Sequence, residues 1–281
     1  MSPRHAPWAE AHDFAIGLRP IAADAWLESG EADPAARKDP LFETRRDTVW
    51  GEAAGSRPGQ VEVQSLVDAA LGAQSPRSDL PPLYAAARRV PDDLCLMEKR
   101  AGEWRLAALS LSAPTFFSAD QVLGKSLAEL HGPVAGFGER FLARVSRIFE
   151  GLRPGIVLER RNWTVVNSAE PFTPDSAPIR AGIAAIAPED AGRALFLRVE
   201  RQTLRRLPAT GGALFTIRIW LDPLASLDAD PARRSAFARA WRAAPPAFRA
   251  YKRLELYDGL VEAYLRAAGE TESVNGTGSA S

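Results

Sequence analysis

The stretch that decides the fold is Ala194-Leu195-Phe196-Leu197-Arg198-Val199-Glu200-Arg201-Gln202-Thr203-Leu204, followed by Pro208-Ala209-Thr210-Gly211-Gly212 and then Leu214-Phe215-Thr216-Ile217-Arg218-Ile219-Trp220-Leu221. Side chains alternate across a strand, so Leu195, Leu197, Val199, Arg201 and Thr203 share one face. In the second run Phe215, Ile217 and Ile219 share one face, and Thr216, Arg218 and Trp220 the other. Two such runs joined by a Gly-rich connection predict an antiparallel hairpin.

Working outward, Leu94 to Glu98 and Trp104 to Leu111 flank Arg100-Ala101-Gly102-Glu103 and predict a second hairpin. Gly155 and Ile156 open a further strand that runs to about Val166. Helical spacing of apolar residues appears at Val63, Leu66, Val67, Ala70 and Leu71, and again at Phe137, Phe141, Val145, Ile148 and Phe149. Shorter helices are expected over 83–89 and 118–131, and closing helices over 230–241 and 248–267. About five strands in hairpins with inserted helices predict an α+β fold around an antiparallel sheet. Residues 1–60 read as an arm pinned by Trp8, Phe14, Trp26, Phe42 and Trp50. Residues 61–268 read as one domain, and the polar run 269–281 as a disordered tail.

The 281 residues carry 35 acidic and 35 basic side chains. That balance, with arginine pairs scattered along the chain, gives no footprint for a nucleic acid. No run reaches the ~20 apolar residues of a membrane span, and no secretory leader pattern is visible. A cytoplasmic protein is expected. One cysteine, Cys95, excludes an intramolecular disulfide, a four-cysteine iron–sulfur cluster on this chain alone and covalent Cys-X-X-Cys-His haem attachment. Its apolar setting reads as a buried strand position.

Three places could carry chemistry. His131, in Leu130-His131-Gly132-Pro133-Val134-Ala135-Gly136, is one of three histidines; the others are His5 and His12. A neutral imidazole at a helix end is a standard nitrogen ligand, including to haem iron. The same position also suits a histidine that simply caps a carbonyl. Arg201 continues an apolar face inward, and a buried guanidinium needs an anion. That anion is a protein carboxylate or an acidic ligand such as a haem propionate; a solvated face with cross-strand charge pairs is the other reading. Arg160-Arg161-Asn162-Trp163-Thr164 is a second polar cluster, in which Trp163 stacks on a flat ligand or lies in the core. Gly136-Phe137-Gly138 lacks the third glycine and the preceding strand of a dinucleotide site. No Gly-X-Ser-X-Gly elbow exists, and one central histidine with one apolar cysteine is too few ligands for zinc.

Taken in order, Asp93-Leu94, Lys125, Leu130-His131-Gly132-Pro133-Val134, Arg161-Asn162-Trp163-Thr164, Leu197 through Pro208 and Phe215-Thr216-Ile217-Arg218 resemble the haem-binding subunit of the haem-dependent oxidative N-demethylases. The resemblance spans roughly Phe14 to Leu265. It implies a PAS-like curved antiparallel sheet holding haem b non-covalently. It also implies oxidative removal of a methyl group from a small secondary amine, with dioxygen consumed and formaldehyde released. Electrons would derive from NADPH through a reductase or ferredoxin-type partner, since no flavin, nicotinamide or iron–sulfur motif is present here. Under this resemblance His131 is the axial-ligand candidate. Arg201, Arg205 and Arg218 are candidates for the haem carboxylates, and Glu200 is a candidate contact for the amine. Ala135 stands where the family usually has a second proline. Ala113-Pro114-Thr115-Phe116-Phe117 replaces its usual Pro-Ser-X-Trp, which leaves the substrate open. A PAS-like haem sensor and a haem-free binding subunit are the competing readings, and a homo-oligomer is left open.

Overall fold

The computed structural model describes residues 2–10, 17–76, 78–132 and 139–270. Its frame is one open sheet of seven strands: β1 (Arg19–Ile21), β2 (Trp50–Glu52), β3 (Asp93–Arg100), β4 (Glu103–Ser110), β5 (Val157–Val166), β6 (Phe196–Arg206) and β7 (Ala213–Pro223). The order across the sheet is β1-β5-β6-β7-β3-β4-β2, and every pairing is antiparallel. The late hairpin forms the centre: Thr203 faces Thr216 and Glu200 faces Ile219. Its turn needs glycine, because Gly211 has φ +74° and a Cβ on Gly212 would stand 3.1 Å from the Met97 carbonyl oxygen. The expected count of five strands grows to seven. The two additions are three-residue edge strands from the N-terminal segment, too short to show a period of two.

Twelve helices flank the sheet among the described residues: α1 (Pro34–Thr44), α2 (Arg46–Val49), α3 (Arg57–Leu71), α4 (Pro82–Ala87), α5 (Ala119–Val122), α6 (Leu127–His131), α7 (Glu139–Gly151), α8 (Ala177–Ile183), α9 (Ala191–Ala194), α10 (Pro231–Ala243), α11 (Pro246–Lys252) and α12 (Asp258–Ala267). Local chemistry sets several ends. The Asp33 side chain accepts from the Ala35 and Ala36 amides ahead of α1. Ser126 and Glu129 make a reciprocal capping box on α6. No helix among the described residues is long and apolar enough to cross a membrane.

The sheet has two unlike faces, set by parity along β6. On the back face Leu197 and Val199 pack with Trp8, Trp163, Phe237 and Trp241. Further along, Leu207, Leu214 and Val157 meet Trp26, Phe42, Val63 and Leu83. Trp26 is 1% exposed, and its indole N–H donates to the Thr203 hydroxyl at 3.1 Å. On the front face Cys95, Met97 and Leu204 pack with Leu127, Val145 and Phe149 from α6 and α7. Cys95 is therefore the buried strand residue expected. Trp163 lies in the core rather than on an open surface. Phe14, Gly136, Phe137 and the run beyond Glu270 lie outside the described residues.

Candidate functional site

Beyond the cluster under α6 and α7, the front face turns polar. Arg160 on β5 donates to Gln202 Oε1 at 2.6 Å, and Gln202 Nε2 donates to Glu200 Oε2 at 3.0 Å. The other Glu200 oxygen accepts from the Thr115 hydroxyl at 3.1 Å, and that hydroxyl accepts from Arg198 Nε at 3.0 Å. One hydrogen-bonded row thus runs Arg160, Gln202, Glu200, Thr115, Arg198. Register explains it: Arg160 faces Gln202, and residues 198, 200 and 202 share the front.

The loop bearing Thr115 is fixed from beneath. The buried Asp93 carboxylate accepts from the Ser112 amide and hydroxyl at 2.6 and 2.7 Å and from the Ala113 amide at 3.1 Å. Ala113 then offers its carbonyl to Arg198 Nη2 at 2.8 Å. Arg198 Nη1 is buried and has no hydrogen-bond partner, an expensive state for a guanidinium donor.

The electrostatics favour anions. Burial would push the Glu200 carboxyl up. Lys252, Arg198, the Thr115 hydroxyl and Arg160 outweigh that and hold it below its ordinary value. Conversely, burial presses down the charged forms of Lys252, Arg160 and Arg198, against the pull of Glu200. Three cations share two carboxylates, Glu200 and the amide-bound Asp93 that attracts Arg198, leaving an excess of one positive charge. Beside this row Ile217, Ile219 and Leu221 are half-buried and join none of the three buried apolar clusters. They form an apolar floor next to Glu200, which is paired with Ile219. Among the described residues no group of three or more His, Cys, Asp or Glu side chains is placed to hold a metal ion.

The residues singled out from sequence fall on different sides. Glu200 is on the front. Arg201, Arg205 and Arg218 are on the back, under the N-terminal segment. Arg201 is 2% exposed and fully engaged: it donates to Glu159 Oε2 at 2.5 Å, to the Trp26 carbonyl at 2.7 Å and to the Ala25 carbonyl at 2.6 Å. Glu28 lies 3.2 Å away. Arg205 stacks over Trp26 at 4.2 Å. Arg218 reaches Glu31 at 3.3 Å and lies over Trp220. Each of these last two keeps a buried Nε without a partner. The structure therefore brings Glu200 together with Arg160 and Arg198, and separates it from the other three arginines. His131 is the last residue of α6, which packs through Leu127 and Leu130 on the front cluster; its side chain lies outside the described residues.

Sequence reasoning missed Arg198, Thr115 and Lys252. Parity was a usable signal for Arg198, two positions before Glu200. Thr115 and Lys252 come from segments 85 and 52 residues away from Glu200, which no local pattern connects.

A family model described as haem-dependent oxidative N-demethylase, alpha subunit-like, matches residues 37–261. The match encloses β2 through β7 and every residue of the front-face row.

Proposed function

Because this chain belongs to the haem-dependent oxidative N-demethylase, alpha subunit-like family, we propose that it binds haem b on the front of a PAS-like sheet and removes a methyl group from a secondary amine. The observation that carries the reading is the front-face composition. An apolar floor lies beside a row with one positive charge to spare, and Arg198 Nη1 is unpartnered. Haem presents a flat apolar ring and two carboxylates, so the residues present fit it. Ile217 and Ile219 would take the ring, Arg198 and Arg160 would take the carboxylates, and His131 would be the residue that ligates the iron. Bound haem supplies the dioxygen chemistry.

The protein's own part is positioning and charge. Thr115 and Gln202 fix the two Glu200 oxygens, while Lys252 and Arg198 do most to hold that carboxyl below its ordinary value. An ionised Glu200 beside the floor can accept a hydrogen bond from a protonated amine, whose burial would otherwise be costly. The balance is R–NH–CH3 + O2 + 2e− + 2H+ → R–NH2 + CH2O + H2O. The two electrons come from a partner subunit drawing on NADPH. The arginines of the back face hold the N-terminal segment instead of the cofactor.

The test is spectroscopic first and catalytic second. Purified chain should show a Soret band, lost or strongly shifted in His131→Ala. With a reductase system supplied, formaldehyde should appear only when amine is present. Glu200→Gln should retain haem and weaken the amine-induced spectral change. A full haem complement and unchanged spectrum in His131→Ala would remove the ligand assignment. Haem binding without amine-dependent formaldehyde would favour a sensor.

A further inference from the structure

A cavity of about 300 Å³ opens beside the front-face row, between the Thr115 loop, the end of β5, α8 and the end of α11. Thr115 is shared with the row, so the two spaces adjoin. The charged residues lining the cavity are Arg180, Lys252 and Arg253, with no aspartate or glutamate among its walls. Neither the Lys252 ammonium nor the Arg253 guanidinium makes a hydrogen bond or ion pair with a described residue; Lys252 lies over its neighbour Tyr251 at 5.1 Å and is attracted at longer range by Glu200. The remaining wall is mixed: Val166, Ile179 and Leu256 are apolar, and Thr164 and Ser176 bring hydroxyls.

Two further observations point to the same place. Only three non-glycine residues among those described have positive φ, and two of them, Phe116 at 63° and Arg253 at 54°, line this cavity. Left-handed backbone costs free energy in a bulky side chain and gathers where a site holds it. Phe116, Tyr251 and Leu256 are also 41, 42 and 40% exposed. Large apolar side chains left in solvent around a concave, cationic space are what a ligand with an apolar body and an anionic head would cover.

We propose that this cavity takes the carboxylate and apolar side chain of the substrate, so that the amine demethylated here is an N-methylated amino acid with an apolar side chain. The inference rests on the proposed demethylation for its reaction, and on the cavity alone for carboxylate binding. A simple dialkylammonium would meet an excess of positive charge beside Glu200. A zwitterion places its carboxylate at Lys252 and Arg253 and its ammonium toward Glu200. The reaction balances as R–CH(COO−)–NH2+–CH3 + O2 + 2e− + 2H+ → R–CH(COO−)–NH3+ + CH2O + H2O, with electrons from the same partner.

Calorimetric titration of the 281-residue chain, after its haem content is measured, tests this with three probes: N-methylphenylalanine, N-methylphenethylamine and 3-phenylpropionate. N-methylphenylalanine should bind roughly tenfold or more tightly than the amine lacking the carboxylate, as expected for charge-assisted hydrogen bonds. Lys252→Met should shrink that preference to about twofold or less, by the same arithmetic. Arg253→Asn, which tolerates the left-handed backbone, should reduce it too, and guards against a misfolded Lys252 variant. Equal affinity for N-methylphenylalanine and N-methylphenethylamine, or no binding by either, overturns the proposal. Phenylpropionate binding as tightly as the amino acid overturns the substrate class. N-methylphenylalanine binding with the expected preference by a chain that takes up no haem leaves the carboxylate site standing and sinks the demethylase reading instead.

Discussion

Replacing Arg201 with leucine separates a structural role from a cofactor role. The guanidinium makes one charge-assisted bond to Glu159 and two to the carbonyls of Trp26 and Ala25. Removing one partner of a buried ion pair costs about 3–5 kcal/mol. Here the loss sits at the lower end, because Glu159 keeps Arg161 Nη2 at 2.9 Å. A loss of about 3 kcal/mol corresponds to a Tm lower by roughly 6–12 °C in a chain of this size. Differential scanning calorimetry reads the Tm, and absorbance per mole of folded protein reads the haem. Arg201→Leu should melt early with an unchanged Soret band, whereas Arg198→Leu should lose haem. A Tm within about 2 °C of the native chain, or haem lost from Arg201→Leu with its Tm intact, would show that the two faces have been assigned the wrong way round.

Two further outcomes follow from the N-terminal segment. Burial alone would raise the Glu28 carboxyl, but His5, then Arg201 and Trp220, hold it at about 2 against an ordinary 4.5. Its folded value lies below its unfolded one, so its contribution is complete above pH 4.5 and is lost as pH falls toward 2; that contribution is about 3 kcal/mol. Denaturant titrations across that window should show a shallower acid decline for Glu28→Gln, and an identical slope would refute the coupling. Trp26→Ala removes a ring that is 1% exposed together with its bond to Thr203, and should cost about 3–5 kcal/mol by urea unfolding. A cost under 1 kcal/mol would mean that the segment is not docked as described.

The central sheet was legible because its strands are long. Alternation over 194–204 and 214–221 predicts β6 and β7, and the apolar runs about Arg100–Glu103 predict β3 and β4. The edge strands were not legible, since three residues cannot display a period. The site divided along the same line. Glu200 and Arg201 were both visible as polar residues in an apolar strand, and parity alone put them on opposite faces. What parity could not say was which face was already filled with carboxylates. Glu28, Glu31 and Glu159 occupy the back, so the inward arginine that suggested a ligand found its anions within the protein. On the front, Lys252 and Thr115 arrive from a helix end and a loop, and their meeting is a property of the tertiary fold.

The two three-residue edge strands also limit how much of the sheet's rim is open to pairing. β1 covers only Val157 to Glu159 of the ten-residue β5, and β2 covers only Ala108 to Ser110 of β4. Each rim therefore ends in a strip too short to template another chain, with Pro20 in one of them and lacking an amide donor. Both strips are borrowed from the first 52 residues. Clipping that segment would remove the caps as well as the packing, and would extend the open side of β5 from the run beyond Glu159 to the whole strand. In this architecture the N-terminal segment shortens the sheet edge that another chain could pair with.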